Sequence, residues 1–375
     1  MLLFHCVVIP HPIEINLSVY SLKLLIMKTL FAALTIAFFH QSAIGQIRYS
    51  GETKDGLLHG FGCMYNEKDN YLYSGSFENG KKSGIGTLTF SNGVAVNGQF
   101  ENDEFVGPIP IEFPFHLVDI DYKMEEDVEF TSFSIDIELM EDISQDHYLY
   151  IAPFGLGNLN ETSFYGGFQT HCGGFKNTDH IERPTKFKDL GRALIFSRWG
   201  DRNPLIMRPV KDGVCESGDY EGDFLSVRNQ FEWKKGKYKM TLYKTDQTIM
   251  LNDTLHTFVG MKITALNTQE TFEAGLLAFP GTKLILDQNL AIFAELYDGS
   301  TNHKDLPKIT IHFSNFEVNG NRFVPKNVWA IYDISQPILT TAQFRDETIT
   351  IEVGATFNSY LFFTKNGYLM EALNP

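Results

Sequence analysis

The sequence predicts an all-β protein: stacked β-hairpins followed by a β-sandwich or jelly-roll-like domain. Three observations predict it. Two glycine series, Gly51, Gly75, Gly98 and Gly60, Gly84, Gly107, recur in step at intervals of 24 and 23 residues. Beyond Pro110, apolar and polar residues alternate with period two in one run after another, the pattern of half-buried strands. Aromatic residues make up 14% of the chain, with 32 Phe and 16 Tyr, types whose flat rings pack well on pleated faces.

At 375 residues, 43% of them hydrophobic and 21% charged, the chain is globular and long enough for more than one domain. Its net charge of −15 argues against nucleic acid, whose affinity for proteins comes mainly from Lys and Arg on phosphates. From Met27 a single Lys28 precedes the apolar run Leu30–Phe39, then Ala43-Ile44-Gly45, a small-x-small cleavage site. Residues 27–45 therefore read as a signal peptide, with Gln46 the first mature residue. Residues 1–26, broken by Pro10 and Pro12, read as an upstream extension that is not native; the alternative is a long uncleaved anchor from Met1 to Phe39. The expected location is the periplasm, the cell surface or the extracellular medium.

Residues 49–62 run YSGETKDGLLHGFG and residues 73–86 run YSGSFENGKKSGIG; a third, degenerate copy runs from Val96 to Gly107. Each unit is a strand, a turn at Asp55-Gly56 or Asn79-Gly80 that supplies the positive φ of tight hairpins, and a return strand. Tyr-x-Gly, then Gly, then His-Gly-x-Gly resembles the MORN (membrane occupation and recognition nexus) repeat, over about residues 48–107. That resemblance implies a docking or scaffold role, with phospholipid contact in some members. Five basic residues (Arg48, Lys54, Lys68, Lys81, Lys82) face eight acidic ones (Glu52, Asp55, Glu67, Asp69, Glu78, Glu101, Asp103, Glu104). Strong lipid binding is therefore not expected, since anionic headgroups want the reverse balance.

Gly107-Pro108-Ile109-Pro110 marks the boundary, and a sandwich domain is expected over 111–375. Val118, Ile120, Tyr122 and Met124 alternate with Asp119, Asp121 and Lys123. Phe133, Ile135, Ile137 and Leu139 alternate with Ser134, Asp136 and Glu138. Further strand-like runs are 192–196, 236–243, 257–266, 283–287, 308–318 and 348–353. Five local signatures, 164–169 (FYGGFQ), 193–199 (ALIFSRW), 220–223 (YEGD), 231–238 (FEWKKGKY) and 361–368 (LFFTKNGY), resemble in order and spacing the secreted bacterial domain-of-unknown-function family 3472. The resemblance covers about residues 115–375 and implies a sandwich fold associated with carbohydrate-related modules; the family's Gly-rich stretch is reduced here to Glu221-Gly222-Asp223.

Tyr165, Gln169, Arg198, Trp199 and Glu221 fall within these stretches and form the expected ligand-binding set. Aromatic faces stack on sugar rings, while Gln, Arg and Glu hydrogen-bond hydroxyls. Asp219, Glu221 and Asp223 alternate, so a strand would place all three carboxylates on one face. They are a solvated acidic loop, a calcium site, or the paired carboxylates of a glycan-active hydrolase or lyase. Trp199 and Trp233 fit either a core or a sugar platform. Cys172 and Cys215 are either the disulfide of an exported chain or two unpaired thiols, and His171, His180 and His303 are isolated. The function expected is an exported binding or scaffold protein whose sandwich takes a glycan or a cell-surface protein. A glycan-active enzyme is the alternative.

Overall fold

The computed structural model describes residues 47–91, 95–108, 114–176, 185–219, 222–298, 307–333, 340–354, 362–365 and 368–373. Residues 1–46, where the leader and the upstream extension are expected, and His180, Glu221 and His303 lie outside them. The fold is all-β, in three antiparallel sheets. Its described helical content is two single 3-10 turns, Gln145–His147 and Pro204–Ile206. Among the described residues no helix is long and apolar enough to cross a membrane.

Sheet I holds six strands in sequence order: β1 (Ile47–Lys54), β2 (Leu57–Asn66), β3 (Tyr71–Glu78), β4 (Lys81–Phe90), β5 (Ala95–Glu101) and β6 (Glu104–Pro108). The turns are as the sequence predicts: Asp55 and Gly56 have φ of 52° and 78°, Asn79 and Gly80 of 51° and 85°. The degenerate third unit makes the same turn with Asn102 and Asp103, at 53° and 77°. Successive units are stitched by backbone bonds, Gly80 N to the Leu58 carbonyl at 2.8 Å and Asp103 N to that of Lys82 at 2.9 Å.

The repeat itself has a packing cause. Tyr49 lies over Gly62 and Tyr73 over Gly86, so that any Cβ at either glycine would fall inside the ring. Tyr73 is fully buried, donates its hydroxyl to the Ser76 carbonyl at 3.0 Å and meets Phe77 and Phe100 edge-on at 5.1 Å. In the third unit, which lacks the tyrosine, Phe105 covers Gly98 instead. Gly86→Val should therefore destabilise the protein by roughly 3 kcal/mol or more, since the ring has nowhere to go. A melting temperature unchanged from wild type would show that the ring-over-glycine packing is dispensable.

The remaining strands, numbered in chain order with those of sheet I, form two stacked sheets. Sheet II contains β7 (Phe115–Lys123), β8 (Val128–Glu129), β10 (Leu149–Leu159), β11 (Thr162–Phe175), β12 (Phe187–Trp199), β14 (Val214–Gly218), β15 (Phe224–Gln230), β19 (Ile285–Leu286), β20 (Asn289–Leu296), β23 (Lys326–Asp333), β26 (Phe362–Lys365) and β27 (Tyr368–Ala372). Sheet III contains β9 (Ser132–Leu139), β13 (Met207–Pro209), β16 (Gly236–Leu251), β17 (Thr254–Ala265), β18 (Thr271–Pro280), β21 (Ile309–Val318), β22 (Asn321–Arg322), β24 (Thr340–Arg345) and β25 (Thr348–Val353).

Each sheet gives one face to a common core. Val118, Ile120 and Tyr122 of sheet II and Phe133, Ile135, Ile137 and Leu139 of sheet III are buried in it, as the period-two pattern predicts. Cys63 and Leu72 of sheet I belong to this same cluster, and β26 runs beside β1 and β2. The repeats and the sandwich therefore share a hydrophobic core.

One end of sheet II curls. β11 pairs with β12, β12 with β15, β15 with β14, and β14 returns to β11 at Cys215–Phe175, closing a ring of four strands. Cys172, Leu190, Ala193 and Val214 pack together inside it. The expected Cys172–Cys215 bridge does not form, and both thiols are free and buried. A bulge between Gln169 and Gly173 turns Cys172 into the ring, whereas Cys215, next in strand to Val214, points the other way into the inter-sheet core.

Candidate ligand-binding face

The face of sheet II turned away from sheet III carries the richest side-chain chemistry. Strands β7, β20, β10, β11 and β12 lie side by side, and their register aligns side chains in transverse rows. His116 pairs with Glu295, Glu295 with Tyr150, Tyr150 with Gln169, and Gln169 with Ala193. In the neighbouring row Asp119 faces Phe293, which faces Ala152. Further along, Tyr165 faces Ser197, Ser197 faces Ser226, and Ser226 faces Glu216. Trp329 of β23 enters beside Asp121. The residues between these positions point into the core because side chains alternate along a strand.

Five rings cross the five strands in series. His116 to Phe293 is 4.9 Å between centroids, Phe293 to Tyr150 5.1 Å, Tyr150 to Tyr165 6.3 Å and Tyr165 to Trp199 4.5 Å. A side group adjoins them, with Tyr148 at 5.4 Å from His171 and 5.7 Å from Tyr297. His116, Phe293 and Trp199 are half-buried, while Tyr150 and Tyr165 are buried between them.

Charged groups are set among the rings. His116 Nδ1 lies 2.6 Å from Asp119 Oδ1, and its Nε2 lies 3.5 Å from Glu295 Oε1. Arg228 pairs with Glu216 and donates to the Gly173 carbonyl. Tyr150 is 2% exposed, and its hydroxyl is buried without a hydrogen-bond partner. Burial first, then the neighbouring Tyr165 and Glu295, push its pKa well above the ordinary 10.0. A buried hydroxyl left without a partner costs roughly 1–3 kcal/mol. Tyr150→Phe should accordingly leave thermal stability unchanged or raise it by up to about 1 kcal/mol; a clear fall in melting temperature would mean that the hydroxyl is satisfied in solution.

Of the residues singled out from the sequence, Tyr165, Gln169 and Trp199 meet on this face. Arg198 does not. Next to Trp199 in strand, it points into the core, 3% exposed, donating to the Ala278 carbonyl with its guanidinium 5.3 Å over the Phe279 ring. Burial lowers its pKa from 12.5 to about 10. Trp233 is likewise a core residue, 2% exposed, with Nε1 2.9 Å from the Gln169 carbonyl.

Asp219 and Asp223 lie outside the strands, between β14 and β15. Gly222 N bonds the Asp219 carbonyl at 3.2 Å, Asp219 and Asp223 are exposed, and Asp219 pairs with Arg202 at 2.8 Å. Among the described residues no three His, Cys, Asp or Glu side chains gather as a metal site. Sequence reasoning missed His116, Tyr148, Tyr150, Phe293, Glu295 and Tyr297. The signal for Phe293 and Glu295 was available: in Asn289–Leu296 they alternate with Leu290, Ile292, Ala294 and Leu296.

Residues 49–68 and 73–94 match the MORN repeat family model. Strands β1 to β4 of sheet I thus carry MORN repeats. No curated protein sequence matches the chain. Among solved structures it is similar to one titled "Crystal structure of Scytalido-glutamic peptidase with a peptide based transition state analog". The match has 10% identity and a TM-score of 0.32, covering 64% of this chain and 98% of that one. At that score the likeness carries nothing about this chain's chemistry.

Proposed function

We propose that the protein is an exported, non-enzymatic binding protein. Its sandwich takes a glycan on the outer face of sheet II, and its MORN sheet serves as a docking module. The observation that supports this reading is the run of five rings across five strands, interleaved with Gln169, Glu295 and Asp119. Rings offer apolar faces to sugar C–H surfaces, while carboxylates and amides accept hydrogen bonds from hydroxyls. Strands spaced roughly 4.8 Å apart make the track about 19 Å long, room for several sugar residues. Export rests on the leader at 27–45, and the resemblance of residues 115–375 to family 3472 belongs to the same proposal. Nothing in the placement of Asp219 and Asp223 favours the hydrolase alternative.

Affinity electrophoresis of the mature protein in gels containing soluble polysaccharides tests the reading. Trp199→Ala should weaken retention by ~30-fold, the equivalent of about 2 kcal/mol for an anchoring aromatic. The melting temperature should fall only slightly, because Trp199 sits at the half-buried end of the track. Release of reducing ends from any retained polysaccharide would make the protein an enzyme and overturn the proposal.

A further inference from the structure

Resting on that reading, we infer that the glycan is uncharged and is taken up as a single dissolved chain, so that polyuronates, sulfated glycans and crystalline fibre surfaces are refused. The first ground is the sign of the charge along the track. In the rows on β7, β20, β10 and β11 the register places Asp119 and Glu295 among the rings, with His116 between them. Asp121 follows on β7, Lys123 ends that strand with Asp287 as its charged neighbour, and Glu216 lies at the far end. The arginine on this face, Arg228, is beyond β12 and engaged with Glu216 and the Gly173 carbonyl. A recognition site for carboxylated or sulfated sugars is built the other way round, from Arg and Lys aimed at the anion. Here a polyanion would meet like charge in a half-buried setting, on a chain whose net charge is already −15.

Uncharged hydroxyls, by contrast, suit what the rows offer. Glu295 and Gln169 flank Tyr150 in one row. Carboxylate and amide oxygens accept from a sugar hydroxyl, and the Gln169 amide donates to one.

The second ground is the tilt of the rings. Successive interplanar angles along the track are 48°, 87°, 62° and 38°. No common plane exists on which a flat crystalline array could lie. The curl of β11, β12, β15 and β14 turns the far end of this face inward, so that Ala193 and Val214 of its rows lie inside the ring and a flat array cannot follow it.

The test is affinity electrophoresis against mixed-linkage β-glucan, xyloglucan, galactomannan, polygalacturonate and heparin, with pull-down on microcrystalline cellulose and chitin, at low and at physiological salt. Retention by at least one neutral soluble glycan is expected, little changed by salt. Migration in polygalacturonate and heparin should be unretarded, and no pull-down should occur. Asp119→Asn combined with Glu295→Gln should raise retention on polygalacturonate several-fold from that baseline. Retention on polygalacturonate or heparin, or pull-down on either solid, that Trp199→Ala abolishes would overturn this inference and leave the track as a glycan site. Absence of retention on every probe would overturn both.

Discussion

Titration with alkali should unfold the protein cooperatively before about pH 11, a consequence of how many acidic protons its core shields. Burial raises the phenols of Tyr73, Tyr122, Tyr150, Tyr297 and Tyr332 above 10.0, and the thiols of Cys63 and Cys172 above 9.0. Cys215, less enclosed, is pushed up to about 11. The unfolded chain releases these protons at their ordinary pKa values while the folded chain keeps them. The native state therefore binds more protons, and unfolding becomes easier as pH rises. The stability involved is fully present below about pH 8 and is lost from about pH 9 upward, as first thiols and then phenols ionise in the unfolded chain. Each fully shielded group contributes a slope of about 1.4 kcal/mol per pH unit, so several together exceed a marginal stability of about 5–15 kcal/mol within one or two units. Arg198, whose pKa burial lowers to about 10, acts with the opposite sign, as do Arg192 and Lys123, which burial also lowers, but these are outnumbered by the shielded phenols and thiols. Near-ultraviolet circular dichroism followed against pH, with phenolate absorbance, reads the transition. A gradual tyrosine titration centred near pH 10 with the fold intact would contradict it.

Trp233→Ala should be the most damaging single truncation in the sandwich, costing about 3–5 kcal/mol. The indole packs edge-on against Phe168 at 5.0 Å and donates to the Gln169 carbonyl, and the Arg192 guanidinium lies 4.5 Å over its ring. Truncation opens a cavity, orphans a buried carbonyl and strips the cover from a half-buried cation at once. Urea denaturation should show a lower midpoint with an unchanged slope, and Trp233→Phe should fall between the two. Because Gln169 is on the candidate face and its carbonyl is held by Trp233, the variant should also weaken glycan retention. A midpoint within experimental error of wild type would remove Trp233 from the core account.

Much of this was legible from residue spacing. Tyr-x-Gly and Gly-x-Gly at a fixed step reveal the hairpins because the cause is local: a ring must find a glycine on the next strand. The inward faces of Val118–Tyr122 and Phe133–Leu139 were legible for the same reason, since alternation is written within one strand. The candidate face was legible only in part. Arg198 and Trp199 are adjacent, so a strand must send them to opposite sides, yet neighbouring residues do not say which side is the core. Trp199 and Trp233 looked equivalent in sequence and parted by burial. The Cys172–Cys215 pairing failed at a bulge, which changes facing without any sign in composition. Tyr150 and Glu295 meet across β10 and β20, a register no single strand encodes.

The strand order also fixes when the protein can fold. The first strand of sheet II, β7, is hydrogen-bonded to β20 and β23, and the first strand of sheet III, β9, pairs with β16 and β21. Thr131 N bonds Asn319 Oδ1 at 2.7 Å across a sequence separation of 188 residues. Neither sheet can be completed on the ribosome until the last third of the chain has been made, whereas the MORN hairpins close from neighbours alone. Such long-range pairing makes folding slow and leaves strand edges open meanwhile. A chain of this kind commits to its final shape only once its last third has been made, a schedule compatible with the export proposed above.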